Sequence, residues 1–468
     1  MSTSDVALLP AVRRPAPPVL PSGRLLGHLA RFRDDALGLF LDGMKLGGVV
    51  RIRVAGRSIL ALYDPEHVHH VLGSHASNYS KRTRGYKALR ALLGQGLLTA
   101  EGEVWKRERR IAQPAFHPAR MVGFASTMAR ATADLALRWE AAAQQGQPLD
   151  LAEEMGRLTL RIAGETLFSL DISKETDVVG PALATVLGGF IRGVLNPLAA
   201  ALPLPSTLRH RAAIRTLDGV VRDIIARRRA EGGQHADLLG MLMAARDEET
   251  GAAMSDEQLR DEVLTMLLAG HETTANALAW TLYQLSQHPE VARRVEAEVD
   301  ALAPLDGLLL PRPGSLPYLD RVIRESLRLH PPAWVASRMA LEDDEIGGYP
   351  IPAGTFVYVS QYAIHRNPDL WSDPDAFDPD RFLPERAVCP DGRPRPRFAW
   401  FPFGAGPRKC IGETFAMMEL QIVLAELIRH YQFELAPGAK VVPEPTVTLR
   451  PRGGLPMILK RRDAATAG

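Results

Sequence analysis

Apolar and polar positions change their period several times along the chain. Val49-Val50-Arg51-Ile52-Arg53-Val54 and Ser58-Ile59-Leu60-Ala61-Leu62 alternate or run apolar around Ala55-Gly56-Arg57, a pattern that predicts a short β-hairpin. Asp64-Pro65 then offers the cap and first-turn proline of a short helix. Between residues 105 and about 246 apolar residues recur at helical spacing, with breaks at Pro118, 144–148, Asn196-Pro197 and 203–205, so this half reads as a helical bundle. Ser255-Asp256-Glu257-Gln258 fits a capping box, and the helix it opens runs to Gln287, where His288-Pro289 stops it. The interior of that helix, Leu267-Leu268-Ala269-Gly270-His271-Glu272-Thr273-Thr274, keeps neither heptads nor continuous apolarity. It is therefore expected to be buried on most sides, not a coiled coil or membrane span. A further helix over 317–330 ends before Pro331-Pro332, and small strands follow around 347–352 and 355–360. The pattern describes a mainly α protein with small β-sheets, an α+β class.

Composition narrows this picture. Of 468 residues, 46% are hydrophobic and 24% charged, the proportions of a globular protein with a large core. Lys plus Arg number 56 against 54 Asp plus Glu, so no overall field points to nucleic acid or an anionic membrane. The two cysteines, Cys389 and Cys410, are too few for a disulfide framework or a zinc cluster. No run is long and apolar enough for an anchor or leader, so a cytoplasmic protein without a membrane anchor is expected. The proline-rich stretch 11–23 with Arg13-Arg14 reads as a stiff surface lead-in.

The chemistry concentrates in Phe401-Pro402-Phe403-Gly404-Ala405-Gly406-Pro407-Arg408-Lys409-Cys410-Ile411-Gly412, a glycine-rich loop that delivers one cysteine to a helix start. Glycine permits positive φ and lets the backbone press close against a flat ligand. Amides at the helix N-terminus favour a thiolate over a thiol. Cys389, in a polar proline-rich loop, has no such context and reads as an incidental free thiol. In the long helix, Glu272 and Thr273 place a carboxylate beside a hydroxyl where Gly270 has weakened the helix. Alone, such a pair usually marks a local hydrogen bond, but space for O₂ and water beside a proton source is what oxygen activation needs. His271 lacks a second helical histidine at ligand spacing and is given a packing role.

Phe403, Gly406, Arg408, Cys410 and Gly412 match the whole F-x-x-G-x-R-x-C-x-G signature of the cytochromes P-450, and the chain resembles that family over nearly all its length. Ala269 to Thr274 resembles the family's A/G-G-x-D/E-T-T/S motif. Glu325 and Arg328 match its E-x-x-R motif. Asp378-Pro379-Asp380-Arg381-Phe382 matches its P-E-R-F segment, with Asp380 where Glu is commoner. The resemblance implies a haem-thiolate fold with haem b (iron protoporphyrin IX) between the long helix and the helix after the cysteine loop. Cys410 would be the axial iron ligand, with Phe403 and Gly412 beside it. Trp105, Arg109, Arg338 and Arg408 would hold the haem carboxylates, Glu272 and Thr273 would relay protons, and Glu325, Arg328 and Arg381 would form a structural triad. It further implies a lead-in over 1–22, one domain over 23–462 and a tail over 463–468.

The implied activity is monooxygenation: one oxygen atom from O₂ enters a lipophilic small molecule of the terpenoid, fatty acid, steroid or polyketide class. The chain has no room for a flavin domain, so electrons would come from an external ferredoxin or flavodoxin and its reductase. Lys106, Arg107, Arg110 and Lys409 are candidates for a basic face that steers such a partner. Substrate choice would rest on residues 79–98, 182–205 and those after Pro332, rich in Leu, Val, Ala and Gly. Two other readings are a peroxide-using or rearranging enzyme of the same fold, and a non-catalytic haem-binding sensor.

Overall fold

A computed structural model of the chain describes residues 15–23, 26–169, 173–195, 202, 204–232, 237–246, 251, 253–303, 307–312 and 314–462. The central helix, Asp256–Gln287, starts where the sequence places it: Ser255 accepts from the Gln258 amide, and the Gln258 side chain reaches back to complete the capping box. It ends at His288, and Pro289 opens the next helix, Pro289–Asp300. Apolar and polar residues alike are buried along it, from Leu259 and Glu262 to Thr281 and Leu285. Nearly all-round burial explains why the sequence shows no amphipathic stripe there. Helices Leu151–Leu167, Pro205–Glu231, Pro317–Leu329 and Glu413–His430 pack against it. Truncating one of its fully buried leucines, such as Leu278, is expected to cost about 2–5 kcal/mol.

The larger sheet lies beside this helical body, in the strand order Val49–Val54, Arg57–Leu62, Phe356–Val359, Ala336–Ala340 and Tyr79–Ser80. Its first pair is the hairpin expected from the sequence, with Val54 opposite Arg57. Ala55 at φ 50° and Gly56 at φ 75° form the tight turn, whose left-handed backbone matches the strand twist. Smaller elements are a three-stranded sheet of Leu149–Asp150, Pro456–Arg461 and Tyr431–Leu435, and two hairpins, Asp344–Ile346 with Tyr349–Ile351 and Pro443–Pro445 with Leu449–Pro451.

Two local readings are revised. Within the expected lead-in, the Leu20 amide donates to the Arg51 carbonyl at 3.0 Å and Arg51 donates to Pro18 at 2.8 Å, so this stretch extends the sheet edge. Leu20 is buried beside Phe40 and Trp334 in one of the hydrophobic clusters; its apolar side chain outweighs the proline-rich composition around it. Cys389, read as incidental in a polar loop, is also buried, among Trp371, Phe401 and Ala399, and burial raises its thiol pKa. Residues 1–14 and 463–468 and the Asn196-Pro197 break lie outside the described residues.

Candidate active site

The cysteine loop is held from below by a buried charge cluster. Glu325 and Arg328 sit on the helix Pro317–Leu329, and Arg328 clasps the Glu325 carboxylate through Nε at 2.7 Å and Nη2 at 2.9 Å. Arg381 donates to the same carboxylate at 2.9 Å. Spare guanidinium donors are met by backbone carbonyls of His365, Pro374 and Ser372. All three side chains are buried, which is tolerable only because their polar atoms are so fully matched. The chain then turns at His365, whose Nε2 accepts the Phe401 amide at 3.1 Å. His365 joins the triad to the first residue of the loop, and burial lowers its pKa to about 3, keeping the ring neutral as an acceptor. Sequence reasoning passed over it, since a histidine closing the short helix Gln361–Ile364 is unremarkable in its local string.

Within the loop, the Cys410 amide donates to Phe403 at 2.9 Å and Lys409 donates to Gly406 at 3.0 Å. Gly404 and Gly406 have φ values of 71° and 65°. A Cβ on Gly406 would stand 1.7 Å from the Leu72 carbonyl oxygen, so this glycine serves close packing on the short π-helical turn His70–Ser74, where a flat ligand was the expected reason. Gly412 caps the helix Glu413–His430, and a Cβ there would make only ordinary contacts with Phe116 and the Cys410 sulfur. Cys410 is exposed to solvent although many protein atoms surround its thiol. Burial pushes its thiol pKa up, although the Gly412 amide, Arg109 and Lys409 pull the other way. Coordination to a cation would add to the pull of the Gly412 amide, Arg109 and Lys409 toward the thiolate expected from the sequence.

Four cations surround the loop. Arg408 donates to Ala100 at 2.8 Å and lies 3.9 Å from the Trp105 ring centroid. Arg109 donates to the Lys409 carbonyl at 2.8 Å and Arg338 to the Ser337 carbonyl at 2.9 Å. Lys81, which no motif singled out, is buried with its ammonium 2.7 Å from the Leu98 carbonyl. Burial, then Arg338 and Arg408, force the Lys81 pKa well down; burial and Arg338 bring Arg408 to about 10, with Glu101 opposing both shifts. Their named hydrogen bonds go to neutral carbonyls. Mutually repelling, partly desolvated cations of this kind are the setting for a ligand bearing carboxylates. A thiol on the loop and a carboxylate-seeking cradle around it fit an iron porphyrin with its carboxylate side chains.

On the central helix the acid and alcohol take separate partners. Thr273 Oγ1 donates to the Ala269 carbonyl at 2.6 Å, while Glu272 Oε1 accepts from Thr448 at 2.7 Å. Burial raises the Glu272 pKa, and Thr448 and Arg450 counter part of the rise. His271 is buried with its pKa lowered to about 4 by desolvation, in keeping with a packing role. The Thr159 hydroxyl of the neighbouring helix donates to the His271 carbonyl at 3.0 Å.

The expected basic face is largely answered from within the chain. Lys106 pairs with Glu103 at 2.7 Å, Arg107 with Glu108 at 2.8 Å, and Lys409 with Glu413. The segments expected to choose the substrate meet at a small recess of about 50 Å³, where Arg84 and Val194 join Val54, Ile59, Phe356 and Tyr358. A larger cavity of about 530 Å³ is polar, lined by Arg82, Arg90, Gln95 and Glu101, and adjoins the cation cluster. Its lining suits water and ions, and the recess, lined also by Arg57, is far smaller than the roughly 300–1,000 Å³ of a small-molecule site.

The family model described as Cytochrome P450 matches residues 17–456. A cyclooctatin synthase of Streptomyces melanosporofaciens is 36% identical, covering 97% of both chains. The cyclooctat-9-en-7-ol 5-monooxygenase of the same organism is 37% identical over 94% of both. A crystal structure of the cytochrome P450DA heme domain aligns with TM-score 0.83 and 30% identity, covering 96% of this chain and 98% of that one. Among the described residues, no helix is long and apolar enough to cross a membrane.

Proposed function

Because the chain belongs to the cytochrome P450 family and is a haem-thiolate monooxygenase, we propose that it oxygenates a terpenoid-type alkene or alkenol, with electrons from an external ferredoxin or flavodoxin. The observation that carries the site assignment is the gathering of the cation cluster and, through His365, the buried triad around the loop that holds Cys410. The substrate class is supported by the relative named for oxygenating cyclooctat-9-en-7-ol at position 5. We take the cofactor to be haem b and the family domain to span residues 23–462.

Cys410 would ligate the iron, and Arg109, Arg338, Arg408 and Lys81 would hold the carboxylates, with Trp105 fixing the Arg408 plane. When bound, the haem supplies the one-electron and O₂ chemistry that no side chain offers. The chain's own part is to hold a proton on Glu272, present the Thr273 hydroxyl beside it and keep the loop rigid through Glu325, Arg328, Arg381 and His365. Burial raises the Glu272 pKa above its ordinary value, the direction that favours the protonated form a general acid needs.

The test is the carbon monoxide spectrum of the reduced protein, followed by turnover of cyclic alkenols with a surrogate ferredoxin and reductase. A strongly red-shifted Soret band in the wild type, lost in Cys410→Ala, is expected. Reductase-driven turnover of fatty acids in place of alkenols would replace the substrate class. Turnover with peroxide but not with reductase would replace the electron source.

A further inference from the structure

The hairpin Pro443–Pro445 with Leu449–Pro451 reaches the central helix close to Glu272, and the contact has a direction. Asn276 Nδ2 donates to Thr448 Oγ1 at 3.1 Å, and Thr448 Oγ1 donates in turn to Glu272 Oε1 at 2.7 Å. Asn276, Thr448 and Glu272 are all buried. A hydroxyl has one proton; with Asn276 occupying an acceptor site, the Thr448 proton is committed to Glu272 Oε1. Oε1 is then an acceptor, so a proton carried by this carboxyl sits on Oε2, which is buried without a hydrogen-bond partner. The ionic field reaching Glu272 comes from Arg450 on the same hairpin, itself 2.9 Å from Glu444.

Resting on the acid role given to Glu272 above, we propose that Thr448, oriented by Asn276, is a positioning residue for proton delivery: it pins Oε1 and leaves Oε2 as the donating atom. In the transfer the Oε2–H bond breaks, the proton passes to an acceptor in the site, and the carboxylate left behind is met by the Thr448 hydroxyl and the field of Arg450. Solvent water returns the proton. The hairpin's own placement does not depend on the Thr448 side chain. The Leu449 amide donates to Pro332 at 3.0 Å, Trp280 Nε1 donates to the Leu449 carbonyl at 3.0 Å, and Trp334 Nε1 donates to Thr446 at 3.1 Å. Thr448→Val keeps the shape and removes only the hydroxyl.

The experiment is an infrared pH titration of the holoenzyme, reading the absorption of protonated carboxyl, with Glu272→Gln identifying the band. Losing a hydrogen bond to a charged group shifts a protonation equilibrium by about tenfold, so Thr448→Val is expected to raise the Glu272 midpoint by about one pH unit. Product formed per reductant consumed should fall, and Thr448→Ser should restore both. An unchanged midpoint and an unchanged product ratio in Thr448→Val overturn the proposal. Absence of the red-shifted carbon monoxide band in the wild type would instead count against the haem-thiolate reading, and the infrared midpoint would still decide the role of Thr448.

Discussion

At the scale of single residues, burial sets the protonation states that matter. Glu262, earlier on the same helix as Glu272, has both oxygens without a hydrogen-bond partner. Burial raises its pKa from 4.5 to about 8; the Leu97 amide tempers the rise without closing a bond, and Glu108 and Asp261 add to it. The folded protein then binds a proton that the unfolded chain has released, so Glu262 favours folding at low pH and that contribution is lost as pH rises from 4.5 through about 8. At about 1.4 kcal/mol per unit the full loss is at most roughly 5 kcal/mol. Glu262→Gln should flatten the decline of Tm across that window; an equally steep decline would mean another group carries it. For the acid–alcohol pair, Thr273→Ala should keep the haem spectrum while diverting reductant to peroxide, by about tenfold or more against product. Normal product yield would remove the proton-relay role. Cys410, Arg408 and Glu272 could be read from the sequence because short motifs fix them. Lys81, His365, Asn276 and Thr448 could not, since each is ordinary in its local string and acquires meaning only from partners 17 to 176 residues away.

At the scale of elements, the boundaries that sequence chemistry sets most sharply were the ones realised. The Ser255 capping box, the stop at His288-Pro289 and the Ala55-Gly56 turn are local events, governed by residues a few positions apart. The pairing of Pro18–Leu20 with the sheet edge and the seating of the cysteine loop on His70–Ser74 are long-range, and composition carried no sign of either. Two substitutions test the loop as a supported element. Arg328→Ala leaves Glu325 buried with one fewer partner, at an expected cost of about 3–5 kcal/mol, read as a fall in Tm and in haem bound per protein. Gly406→Ala drives a Cβ against the Leu72 carbonyl at a positive φ, so it should lose haem with a smaller change in the far-ultraviolet dichroism. Full haem retention in Gly406→Ala would show that the His70–Ser74 turn yields easily and does not brace the loop.

At the scale of the whole molecule, net charge and surface pairing bear on electron delivery. The chain carries a formal charge of only +2, and Lys106, Arg107 and Lys409 of the expected basic face are answered by Glu103, Glu108 and Glu413. A strongly basic face accelerates encounter with an acidic partner by about 10- to 1000-fold, an advantage that salt removes once the screening length falls to about 10 Å at 0.1 M. Paired cations project little field beyond the surface, so steering here should be weak. The rate of reduction by an acidic ferredoxin or flavodoxin is therefore expected to vary less than about tenfold between low and physiological salt. Glu103→Gln together with Glu413→Gln would unmask Lys106 and Lys409, and should raise the low-salt rate and steepen its salt dependence. If the wild-type rate already falls steeply with salt, the intramolecular pairs open when the partner arrives and their carboxylates act as displaceable counterions. If neither the wild type nor the double variant responds, the partner docks through apolar contacts, and the basic residues of this face serve to pack the loop.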